Sequence, residues 1–242
     1  MQVVQGQNRT IFPRIDGERV ARRESTVAVG VAPGIERMNG QVCVPEVIAP
    51  LQKTRDAVFE KLAYREGSDG CIALFEPRWL KIGEVKLRPN PLVVILESVE
   101  KPGNLGAILR TADAAGLDAV IVCDPLTDIY NPNVIRSGVG CVFSRQVVAC
   151  STEEAQQWLK DKGIRSYAAE LQASSHYHLH SYLGPTAFVM GTEADGLTEK
   201  WLDFCDERII IPMLGSIDSL NVSVSTAVLV FEAMRQRGFS IP

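Results

Sequence analysis

Four short apolar runs constrain the fold of this chain more than any other feature: LVVILE (92–97), AVIVCD (119–124), TAFVMG (186–191) and RIIIPM (208–213). None alternates apolar with polar residues. Each is therefore expected to be a strand buried on both faces, which is how strands read in a parallel sheet covered by helices on both sides. Helical segments follow or separate them. NLGAILRTADAAG (104–116) is rich in small residues and stops at Gly116. STEEAQQWLKDKG (151–163) opens with a capping box, Ser151 to Glu154, and closes at Gly163. TEKWLDFCD opens at Thr198, and a last helix runs from about Leu220 to Arg237. This alternation specifies an α/β fold with a mainly parallel sheet flanked by helices, whose ligands sit at the carboxyl ends of the strands.

Ahead of that block, TVAVGVAPG (26–34) and CIALFEP (71–77) read as strands and PEVIAPLQKTRDAVFEKLAY (45–64) as a helix. VKLRPNP (85–91) reads as a linker, with two prolines and an asparagine as breakers. The expected organisation is a basic arm plus a small α/β substrate-binding domain over 1–84, a linker over 85–91, and a second domain over 92–242. Charge supports a division of labour. Residues 1–90 carry 14 Lys and Arg against 11 Asp and Glu, and residues 91–242 carry 11 against 18. A mildly basic front on an acidic back points to an anionic partner for the front. Arg9, Arg14, Arg19, Arg22 and Arg23 crowd the first 25 residues, as either a solvated arm or a nucleic-acid contact.

No apolar run approaches the roughly 20 residues needed to span a bilayer, and MQVVQGQNRTIFPRIDGERVARRE lacks the apolar core of a signal peptide. A cytoplasmic protein without membrane contact is expected. The six cysteines (Cys43, Cys71, Cys123, Cys141, Cys150, Cys205) form no C-x-x-C pair and read as buried free thiols. His176, His178 and His180 would share one face of a strand. No carboxylate or cysteine is close to them in sequence, so no metal is expected.

Three strand ends carry unusual residues. In EKPGNLGAILR (100–110), Asn104 can cap a helix, and Arg110 sits among Ala, Ile and Leu, where a buried guanidinium needs an anionic partner. In VMGTEADGL (189–197), Glu193 stands between Gly191 and Gly196. In IIIPMLGSIDSLNVSVS (209–225), Pro212 closes a strand, and six polar residues from Ser216 to Ser225 precede an apolar helix. An N-cap needs one hydroxyl, not six polar groups. Neither a G-x-G-x-x-G dinucleotide fingerprint nor a G-K-[ST] phosphate loop is present, which argues against a nucleotide-dependent oxidoreductase.

Taken together, Asn104–Arg110 (N-x-G-x-x-x-R), Gly191–Leu197 (G-x-E-x-x-G-L) and Ile211–Val224 (I-P-M-x-G-x-x-x-S-L-N-V-S-V) resemble the three motifs of the SpoU/TrmH family of RNA ribose 2′-O-methyltransferases, within the SPOUT superfamily. VFEKLAYREGSDGCIALFEP (58–77) is more loosely similar to that family's N-terminal RNA-binding domain. The resemblance implies a C-terminal trefoil knot and a homodimer with active sites near the subunit interface. It implies S-adenosylmethionine as methyl donor, held around Gly191, Ile211, Ser219 and Leu220, with Met213 framing the adenine. Gly191 would let the backbone approach that ligand closely. Arg110 would stand at the ribose 2′-hydroxyl, with Asn104, Glu193 and Asn221 orienting it or the substrate. The extra front domain favours ribosomal RNA over transfer RNA; a knotted relative that binds RNA without catalysis is the other alternative.

Overall fold

The computed structural model describes residues 79–173 and 175–239, Pro77, and the elements ahead of them within residues 2–75. Those front elements are strands β1 (Gln2–Gln5), β2 (Ser25–Val29), β3 (Glu36–Met38), β4 (Gln41–Cys43), β5 (Leu51–Thr54) and β6 (Cys71–Phe75) and helix α1 (Asp56–Leu62). β1, β6, β2 and β5 form one sheet in that order, with β2 parallel to β6 and the outer pairs antiparallel. Two readings change here. The helix expected over 45–64 is confined to α1, because Leu51–Thr54 pairs with β2 as an edge strand. The irregular arm over 1–25 begins with a strand, β1. The arginines from Arg9 to Arg23 lie outside the described residues.

The larger sheet has seven strands, all parallel, in the order β11-β13-β10-β12-β7-β8-β9. The four apolar runs supply β7 (Leu92–Glu97), β8 (Ala119–Cys123), β12 (Thr186–Met190) and β13 (Glu207–Ile210). Three strands were not singled out from sequence: β9 (Val147–Cys150), β10 (Arg165–Ala169) and the two-residue edge β11 (Ser175–His176). Side chains of β7 alternate between two cores. Leu92, Val94 and Leu96 enter one, Val93 and Ile95 the other, which is why the run is apolar at every position from 92 to 96.

The first core lies under α2 (Pro102–Ala114), α3 (Pro132–Ser137), α4 (Cys141–Ser144) and α7 (Val222–Gln236). The second lies under α5 (Thr152–Lys162) and α6 (Glu199–Phe204). The capping box forms, with Glu154 N–H on Ser151 Oγ (3.1 Å) and Ser151 N–H on a Glu154 carboxylate oxygen (2.9 Å). The last helix starts at Val222 rather than Leu220, capped by Asn221. Gly106 marks the crossing of α2 and α3. A Cβ there would lie 1.9 Å from Ser137 Oγ and 2.6 Å from the Gly138 nitrogen, so the helices approach as closely as they do only over glycine.

The stretch read as a linker is docked on the large sheet. Ahead of it Leu80 bridges in parallel to Val148, and its first residue, Val85, is buried in the second core. Gln146 brackets Lys86, accepting its N–H (2.9 Å) and donating to its carbonyl (2.7 Å). Arg88 makes a two-pronged ion pair with Asp118 (2.9 and 2.8 Å), and Asp118 also accepts the Leu92 N–H that opens β7. Burial alone would raise the Asp118 carboxyl. The Arg88 guanidinium and the N–H groups of Arg88 and Leu92 outweigh it and hold the group below the ordinary carboxylate range.

Candidate active site

Because the sheet is parallel, β7, β12 and β13 end on the same side, and the three motif segments follow those ends. Their side chains meet. Glu193 is the hub, its Oε1 accepting Asn104 Nδ2 and, at 3.0 Å, Asn221 Nδ2. Asn221 Nδ2 also donates to Asn104 Oδ1 (3.1 Å). Asn221 Oδ1 is occupied by the Ser223 N–H (2.9 Å) and hydroxyl (2.6 Å), which fixes which way its amide faces. One network thus ties the start of α2, the loop 191–197 and the start of α7. The polar residues ahead of the last helix divide accordingly: Asn221 caps it and Ser223 holds Asn221, while residues 212–220 make no hydrogen bond among the described residues.

Lys101 joins the network through an ion pair with Glu193 Oε2. Sequence reasoning missed it. The available signal was a lysine at the N-cap of α2, a position where Ser, Thr, Asp or Asn is preferred and where this side chain caps nothing. Glu97 was missed too. The last residue of β7, it is 5% exposed, and its carboxylate accepts the Thr198 N–H (2.9 Å) and hydroxyl (2.7 Å). The loop bearing Glu193 is therefore anchored to β7 twice, through the pairing of Met190 with Leu96 on entry and through Glu97 on exit.

Arg110 does not join the cluster. The sequence suggested a buried guanidinium, but Arg110 is exposed and its side chain makes no hydrogen bond or ion pair among the described residues. α2 buries Leu105, Gly106, Ile108, Leu109 and Ala112. Position 110 falls on the opposite side, about 9 Å along the axis from Asn104 and roughly 120° around it. Ala107 is half-buried and Ala114 exposed, small residues that look like core in sequence while lying off the buried side of the helix.

At Gly191 the space beside the backbone is taken by the loop itself. A Cβ there would meet the chain's own backbone: Gly196 C at 2.1 Å, Gly196 O at 2.2 Å and Leu197 N at 2.4 Å. The close approach is between the two arms of the loop, closed by Thr192 N–H on Gly196 O (2.9 Å). Ile211, Met213 and Leu220 are half-buried and Ser219 exposed along 211–220. In that segment Leu214 is 99% and Ile217 61% exposed. Aliphatic side chains beside uncommitted backbone N–H and C=O groups suit a flat heteroaromatic ligand, whose faces want apolar contact and whose edge wants hydrogen bonds.

Among the described residues no three His, Cys, Asp or Glu side chains gather to hold a metal ion. His180 is engaged by Ser175 Oγ (2.7 Å), while His176 and His178 are exposed. Cys123, Cys141, Cys150 and Cys205 are free thiols; Cys123 is buried and the other three are partly so. Burial pushes Cys205 up to about 12. Cys43 and Cys71 have no described side chains. No helix among the described residues is long and apolar enough to cross a membrane.

Fold and cluster together define a parallel α/β protein, helices on both faces, with a polar site assembled from three loops at the carboxyl ends of its strands. The chain belongs to the SpoU rRNA Methylase family, whose profile matches residues 91–231. It is 34% identical to the 23S rRNA (guanosine-2′-O-)-methyltransferase RlmB of Haemophilus ducreyi over 77% of this chain and 79% of that one. It is 41% identical to the tRNA (guanosine(18)-2′-O)-methyltransferase of Thermus thermophilus over 67% and 84%. The AdoMet-bound rRNA methyltransferase of Sinorhizobium meliloti superposes with a TM-score of 0.71 at 30% identity, covering 75% of this chain and 70% of that one. The chain spans about 60% of the length of several other curated relatives that it matches.

Proposed function

We propose that this protein transfers a methyl group from S-adenosylmethionine to a ribose 2′-hydroxyl of RNA, ribosomal RNA in preference to transfer RNA. The network of Glu193, Asn104 and Asn221 carries the reading, because it joins the three motif segments in one polar site. Support for the donor comes from the uncommitted backbone and aliphatic side chains of 212–220 and from the AdoMet-bound relative. The Haemophilus ducreyi likeness, which reaches beyond residues 91–231, supports ribosomal RNA, and the Thermus thermophilus relative keeps transfer RNA as the alternative.

Bound S-adenosylmethionine supplies a methyl group already activated on a sulfonium, so the chain's residues have to position the acceptor and manage its charge. Gly191, Ile211, Met213, Ser219 and Leu220 would hold the donor. Glu193, with Asn104 and Asn221 fixed against it, orients the acceptor side. The Arg110 guanidinium has five donors and no acceptor, so it serves as a fixed charge and donor. It holds a substrate phosphate and stabilises the alkoxide that develops on the 2′-oxygen.

Residues 1–84 serve as the RNA-binding part ahead of the catalytic domain over 92–242, in the cytoplasm, and the C-terminal chain is threaded as the family's trefoil knot. The protein works as a homodimer. Val224 and Phe231 stand 47% and 42% exposed on α7, with the half-buried Ala227 and Val228 between them, an apolar stretch that a second copy could cover. Light scattering should give twice the chain mass of 26.5 kDa, and a monomer would remove this assembly.

The direct test is incubation of the purified protein with methyl-labelled S-adenosylmethionine and either ribosomal or transfer RNA. Label should enter ribosomal RNA and create one phosphodiester resistant to alkali. Label in transfer RNA alone would select the alternative substrate, and no transfer to either, with donor still bound, would select the binding-only relative.

A further inference from the structure

The network around Glu193 holds one carboxylate oxygen with protein amides and leaves the other to Lys101. Oε1 takes both amide donors, from Asn104 and Asn221. Asn221 cannot turn, because Ser223 occupies its Oδ1, and Asn104 cannot turn without losing Asn221 from its own Oδ1. Oε2 has a single partner among the described residues, the Lys101 ammonium. Lys101 stands at the N-cap of α2, its side chain takes no part in capping, and it is 67% exposed. Exposed pairs of this kind add little to stability. Its geometric effect is larger: without it Glu193 hangs on one oxygen, free to pivot, with an unbalanced negative charge where a phosphate-bearing substrate must approach.

We propose that Lys101 is a positioning residue of the methyl-transfer site, acting through Glu193: it fixes the orientation of that carboxylate and cancels its charge toward incoming RNA. The proposal rests on the methyltransferase reading. Lys101 does not touch the substrate; its whole effect passes through one oxygen of Glu193.

A double-mutant cycle of Lys101→Met and Glu193→Gln in the full chain tests it, with three readouts. In single-turnover methyl transfer, Lys101→Met should lose about tenfold and Lys101→Arg should recover most of it, while Lys101→Met adds no more than about twofold to the loss in a Glu193→Gln background, as coupled residues do. In RNA binding, the slope of log affinity against log salt should be unchanged in Lys101→Met; a residue on a phosphate would lower it by about 1. In hydrogen exchange without any ligand, the 191–198 segment should exchange about two- to fivefold faster in Lys101→Met, with no further gain in the double variant. Additive losses, a reduced salt slope or an unaltered 191–198 segment would each overturn the proposal. A wild-type protein that transfers no methyl group would reject the methyltransferase reading instead, and the exchange cycle would still decide whether Lys101 holds Glu193.

Discussion

Arg110→Ala leaves the melting temperature unchanged and removes methyl transfer. The first half of this expectation comes from the structure. Arg110 is exposed and has no partner among the described residues, so its truncation breaks no ion pair, strands no buried charge and opens no cavity. The second half comes from the reaction proposed. A planar guanidinium facing solvent two turns into α2 is free to take an RNA phosphate and to stand beside the 2′-oxygen as its charge develops. Losing one such electrostatic contact typically costs about 10²–10³ in rate. Arg110→Lys should be nearly as damaging, because an ammonium is a point charge and does not reproduce the two-pronged fork. Single-turnover transfer with thermal melts on the same preparations measures both halves. A lysine variant with near-normal turnover would exclude the fork, and an alanine variant that melts several degrees lower would mean that Arg110 serves the fold.

How far the sequence alone reached can be seen residue by residue. The parallel sheet was legible from runs such as Leu92–Leu96, where both faces are covered and every position is apolar, although three of its seven strands were not. Segment ends with local chemistry were legible as well: Ser151 and Glu154 close their box without help from the rest of the chain. Readings failed where a distant partner decides the outcome. Leu51–Thr54 lies in an apolar stretch of helical look and becomes a strand because β2 offers it an edge. VKLRPNP has the breakers of a linker, yet Asp118 and Gln146, far along the chain, pin it to the sheet. The grouping of Asn104, Glu193 and Asn221 was legible only because three motifs stood in known order; spacing could not have shown that Asn221 reaches Asn104 across 117 positions. Lys101 and Glu97 lie outside those motifs, and their parts depend on where the loop 191–198 lands.

That loop gives the other large expected effect. Gly191→Val should weaken S-adenosylmethionine binding and lower the melting temperature together. The sequence suggested that the space beside Gly191 is kept for a ligand. The structure fills it with the return arm of the loop, and all three atoms that a Cβ would meet within 2.4 Å are backbone, so none can swing aside as a side chain would. The loop must open. Doing so breaks the Thr192–Gly196 bridge, strains the Glu97–Thr198 anchor and carries Glu193 away from Asn104 and Asn221. Overpacking of this kind costs about 1–3 kcal/mol. In a domain of this size that is a fall of roughly 2–12 °C in melting temperature. If donor binding requires the closed loop, the same energy is withdrawn from affinity, a weakening of about 5- to 150-fold. Alanine should show a smaller version of both effects, since its Cβ already collides. Gly103→Ala is the control: nothing lies within 4 Å of its Cβ, so stability and donor affinity should hold. Calorimetry with S-adenosylmethionine and thermal melts on the three variants decide it. Normal affinity in Gly191→Val would take the donor site away from this loop, and lost affinity without any change in melting would return the space beside Gly191 to the ligand.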